Sequence, residues 1–95
     1  MQNEKLIHIV ESQKVEFKDI IKLINDYLLS SEDKINESED PDKNLNDLKI
    51  DSILIIRLLV LVEEQFDIEF DIEEMIPDRL NTVRKITDTV NKRVT

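Results

Sequence analysis

Apolar residues at helical spacing recur along this chain, and charged or polar runs separate them. In "VEFKDIIKLINDYLL" the positions Phe17, Ile20, Ile21, Ile24, Tyr27 and Leu28 fall three or four residues apart, which predicts a helix from about Val15 to Leu29. "SSEDKINESEDPDKN" follows, a charged loop closing at Pro41 and long for a compact domain. Leu45, Leu48 and Ile50 are expected to pin the end of that loop onto the core. A second helix is predicted from Asp51 or Ser52 to Phe66, with Asp51 as its N-cap. Asp71 and Glu74 have capping-box spacing, which predicts a short third helix ending near Pro77. Asn81 or Thr82 then caps a last helix with one stripe, Val83, Ile86, Val90 and Val94. Only "FDIEF" alternates with period two, so the expected class is all-α: a small four-helix bundle of three longer helices and one short one. Residues 1–14 look like an N-terminal extension of weak amphipathicity, leaving 15–95 as the domain.

The second helix departs from the simple pattern. Turned at about 100° per residue, Ile55, Leu58, Leu59, Val62 and Phe66 share one arc, the expected core face. Ile53, Ile56 and Val60 fall nearly opposite, beside Arg57 and Glu64. Two other long helices are too few to bury a helix that is apolar all round. The expectation is therefore a partly exposed docking strip starting one residue after Ser52.

Composition narrows the chemistry. Ninety-five residues suffice for one small domain. With no cysteine there is no disulfide, thiol nucleophile or thiolate metal site. The absence of glycine disfavours phosphate-cradling loops and turns with positive φ. A net charge of −9, from 22 acids and 13 bases, opposes nucleic-acid binding and favours proteins with basic patches. The longest apolar run, Ile53 to Val62, is broken by Arg57 and falls far below the ~20 residues of a membrane span. "MQNEKLIHIVESQ" is too short in apolar residues for a secretory segment, so a cytosolic protein without membrane contact is expected.

Ser52 poses the chemical question. At a helix N-terminus its hydroxyl lies near unpaired amides and the positive end of the macrodipole, where a phosphodiester would be favoured. The sole histidine, His8, belongs to the extension and gives no reason to pair with it, so no catalytic residue is expected. Ser52 is better cast as an acceptor activated inside another enzyme.

At this point "LKIDSILIIRLLVLVEEQFDIEF" and the later "LNTVRKITDTV" resemble the acyl and peptidyl carrier proteins over roughly residues 15 to 94. The family pattern is Leu-Gly-x-Asp-Ser-Leu at the start of the second helix, then acids, then a Thr-Val pair, here Thr82 and Val83. The resemblance implies 4′-phosphopantetheine on Ser52, with Asp51 before it, transferred from coenzyme A by a Mg²⁺-dependent phosphopantetheinyl transferase. It implies a cargo held as a thioester on that arm and passed among loading and condensing enzymes, the chain itself being a monomeric carrier and no enzyme. Docking positions one and eight places after the serine fall on Ile53 and Val60, with Ile56, Arg57, Glu63 and Glu64 around them.

The departures carry their own expectations. Lys49 stands in place of the usual glycine, so a different turn before the helix is expected. Leu54 and Arg57 occupy a zone where fatty-acid carriers typically have acids, and the acids come later, from Glu63 to Asp78. This turns the expectation toward a specialised polyketide, peptide or hybrid assembly line, with an aminoacyl or peptidyl carrier as the alternative. Two alternatives come from other classes. One is an unmodified acidic helical interaction module, for which Asp51-Ser52 is merely a helix cap. The other is a weak calcium binder, with Asp40, Asp42, Asn44 and Asp51 at loop positions one, three, five and twelve. Leu45 stands where such a loop needs glycine, so no dedicated metal site is expected.

Overall fold

The computed structural model describes residues 14–94. Apart from Lys14, the sequence extension and its His8 lie outside the described residues. Three α-helices form the frame: α1 (Phe17–Tyr27), α2 (Ser52–Phe66) and α3 (Val83–Val94). Single 3₁₀ turns interrupt the connections at Ser31–Asp33, Leu45–Leu48 and Ile72–Glu74. Among the described residues there is no strand, and the fold is the all-helical bundle expected. The short third helix is a 3₁₀ turn; three residues are too few for an α-turn to propagate.

Each helix starts where a side chain satisfies free amides. Asp19 reaches back to the amide of Glu16 at 2.9 Å to open α1. At the start of α2 an Asp51 oxygen accepts the amide of Leu54 at 2.9 Å. Thr82, of the two candidates, caps α3 by accepting from the amide of Lys85 at 3.1 Å. Glu74 accepts from the amide of Asp71 at 2.9 Å, the reach-back half of the box read from sequence.

α1 packs against both other helices. Ile20, Ile21, Leu23 and Ile24 of α1 enter the core with Ile55, Leu58, Leu59 and Val62 of α2 and Val83, Ile86 and Val90 of α3. Tyr27, expected on the core stripe, is 62% exposed, because α1 ends there and Leu28 and Leu29 take the inward positions. Phe66 and Val94 close the core only partly. The long loop is pinned at more points than the sequence suggested. Leu45 and Ile50 are fully buried, Leu48 is half-buried, and Ile35 is buried as well. The Asn25 amide clamps Ile35 from both sides, donating to its carbonyl and accepting its N–H, each at 2.8 Å. Asn91 clamps Val15 in the same way, at 2.7 and 2.9 Å.

Candidate functional site

The chain turns sharply into α2, and the turn is where the sequence departs from its look-alikes. Lys49 adopts the left-handed conformation, φ 67° and ψ 24°, which a glycine reaches without cost. Lys49 thus carries a side chain in a conformation that glycine reaches more easily. Its amide donates back to the Leu45–Leu48 turn, and its ammonium lies 3.1 Å from Asp33 Oδ1. Lys49 Nζ and the Ser30 hydroxyl, both donating to Asp33, hold that carboxyl below the ordinary aspartate value. The lysine thus serves the loop.

Past that turn, Ile50 is sealed in the core while Asp51 and Ser52 are exposed. The Asp51 carboxylate is occupied by the Leu54 amide. The Ser52 hydroxyl has no hydrogen-bond partner among the described residues, and neither do the amides of Ser52 and Ile53. A solvent-facing hydroxyl thus stands beside two open N–H donors at the positive end of a 15-residue helix. A phosphodiester on this oxygen would sit in a favourable field, and nothing in the bundle crowds it. The geometry fits a covalently attached phosphate tether.

The strip read from the helical wheel is exposed. Ile53 is 72% exposed, Ile56 43% and Val60 41%, with Arg57 and Glu64 exposed among them. Glu63 behaves differently. It is half-buried, and its Oε2 accepts the amide of Phe70 at 2.9 Å, so it holds the segment that leaves α2. That segment leaves through Asp67, in the left-handed conformation at φ 53°, with Ile68 donating back to the Glu63 carbonyl. Two further exposed apolar residues went unnominated: Ile72, 89% exposed on the 3₁₀ turn, and Ile76, 42% exposed. Their signal was available as an i, i+4 apolar pair in "DIEEMI", but an acid-rich run masked it.

The calcium-like spacing does not assemble. Asp42 accepts from Arg84 at 2.7 Å, Asp40 from the Asp42 amide, Asn44 from the Asn46 amide, and Asp51 caps α2. Among the described residues no three or more His, Asp or Glu side chains converge as a metal site. No helix among them is long and apolar enough to cross a membrane.

Comparison with known proteins agrees with this geometry. The family described as "Phosphopantetheine attachment site" matches residues 28–90. An acyl carrier protein of Buchnera aphidicola subsp. Schizaphis graminum is 43% identical over 49 residues, 52% of this chain and 60% of that relative. Acyl carrier proteins of Buchnera aphidicola subsp. Acyrthosiphon pisum, from strains Tuc7 and APS, are 39% identical over 49 residues, 52% of this chain and 59% of theirs. The match thus spans about three fifths of these curated relatives. No solved structure matches.

Proposed function

The chain belongs to the phosphopantetheine-attachment-site family, and on that premise we propose that it is an acyl carrier whose prosthetic arm is joined to Ser52. The group that defines the family is 4′-phosphopantetheine, held covalently. When bound, it supplies the thiol for a thioester that this cysteine-free chain lacks. The single observation that carries the assignment to Ser52 is its exposed, unpartnered hydroxyl at the N-terminus of α2.

The chain's own residues do three things in this reading. Ser52 would give its oxygen to the new phosphate ester as the pyrophosphate bond of coenzyme A breaks and 3′,5′-ADP leaves, its own proton passing to a base of the transferase. Asp51 fixes the first turn of α2, so the hydroxyl is presented at a constant angle. Ile53, Ile56 and Val60, with Arg57 and Glu64 between them and Glu63 at the edge, give visiting enzymes a surface to grip beside the arm. The carrier performs no catalysis of its own. Its partners are a phosphopantetheinyl transferase and acyl-handling enzymes, met one at a time by a cytosolic monomer comprising residues 15–95. The relatives' name favours an acyl over an aminoacyl cargo. Leu54 and Arg57, standing where fatty-acid carriers resembling this chain have acids, support a specialised polyketide or peptide assembly line.

Intact mass after incubation with coenzyme A, Mg²⁺ and a broad-specificity phosphopantetheinyl transferase tests the assignment. Wild type should gain one phosphopantetheine and Ser52→Ala none. Unmodified wild type, or a modified Ser52→Ala, refutes it.

A further inference from the structure

Arg57 differs from the other arginines of this chain. Arg84 is paired with Asp42 at 2.7 Å and lies over the Phe17 ring. Arg93 is paired with Asp71 and Glu74, and Arg79 donates to the carbonyl of Glu73 at 3.5 Å. Arg57 has no ion pair or hydrogen bond of its side chain among the described residues. Nor does its own helix offer one, because the positions three and four residues away are Leu54, Ile53, Val60 and Leu61. In a chain with a net charge of −9, this cation is left uncompensated.

Its place on α2 matters as much. Arg57 is one turn from Ile53 and one turn from Val60, so a surface that covers both isoleucine and valine meets the Arg57 side chain between them along the helix. Desolvating that charge without a partner carries a penalty of several kcal/mol, which docking onto the neighbouring apolar residues would not offset. The acceptor that fits its planar fork is a carboxylate. The tether on Ser52 does not supply it, since five residues of helix put Arg57 about 140° around the axis from the serine. A second copy of this chain is disfavoured by its own −9 charge.

We propose that the Ile53–Val60 face selects protein partners whose apolar docking groove contains a carboxylate placed to pair with Arg57. This rests on the carrier reading, and it sets a local rule against the long-range one. The overall charge draws in basic surfaces, while the contact at the centre of the strip requires an acid.

Two synthetic amphipathic helices test it, identical in their leucine face and differing in one residue at its centre, Glu or Lys. Binding to the full ¹⁵N-labelled chain is followed by amide shifts. Wild type should bind the Glu peptide about tenfold more tightly than the Lys peptide, with the shifts centred on Ile53, Arg57 and Val60. Arg57→Glu, an exposed change with helicity expected intact by circular dichroism, should reverse the ranking. An unchanged ranking in Arg57→Glu, equal binding of both peptides by wild type, or shifts elsewhere on the bundle would overturn the proposal. So would a concentration-dependent dimer that buries the same face. Intact mass of the same samples after coenzyme A loading keeps the two readings apart: loaded wild type with unranked peptides sinks only the Arg57 rule, whereas unloaded wild type sinks the carrier assignment.

Discussion

A chain without a single glycine still has two left-handed residues among those described, Lys49 before α2 and Asp67 after it. For a side chain with a Cβ that conformation costs about 1 kcal/mol or a little more. Asp67 is among the residue types that tolerate it; Lys49 is not. Lys49→Gly should therefore be more stable in urea than Lys49→Ala by about 1 kcal/mol, since both lose the Asp33 ion pair and only glycine relieves the backbone. Equal midpoints for the two variants would show that the turn is not strained. The sequence marked Lys49 as the place where the family pattern breaks. It did not reveal the left-handed backbone there, because a lysine in sequence carries no sign of positive φ. Ser52 was legible for the opposite reason. A helix start, a cap and an exposed position are all local facts.

At the scale of elements, the three α-helices were readable because eleven to fifteen residues carry enough apolar periods to define a face. The 3₁₀ turns were not, since three or four residues cannot show a period. Ile35 escaped for the same reason: a lone apolar residue in a charged loop becomes core only because the Asn25 amide holds its backbone. The same loop carries the Lys49–Asp33 link, and its titration has a definite sign. Asp33 is held below the ordinary aspartate value, first by the hydrogen bond from Lys49 and then by that from Ser30. A depressed folded value means the carboxylate stabilises the fold fully above the unfolded aspartate value, and the contribution is lost as pH falls through the lower, folded one. In Lys49→Met the Asp33 midpoint, followed by carbon NMR, should rise toward the ordinary value. A midpoint that stays low would assign the shift to Ser30 alone.

Across the whole molecule, isoleucine and valine do two separate jobs. Ile86 and Val90 are fully buried, whereas Ile53, at 72% exposure, touches the core little despite equal hydrophobicity to Ile86. A protein under selection for stability alone gains nothing from leaving Ile53 in water beside Ser52. Stability and loading should therefore come apart. Ile86→Ala removes a sealed side chain between helices and should cost about 2–5 kcal/mol. Once folded at low temperature, though, it should accept phosphopantetheine at the wild-type KM. Ile53→Ala should change stability by no more than about 0.5 kcal/mol, with alanine's helix propensity favouring it. Its burden falls on the encounter: covering the isoleucine is worth up to ~2 kcal/mol, so KM for the carrier in the transferase reaction should rise by as much as about thirtyfold. Urea melts and initial rates on the same two variants check both halves. Were Ile53→Ala to melt early and load normally, the exposed face would be part of the scaffold, and the grip beside Ser52 would have to be sought at Ile72 and Ile76.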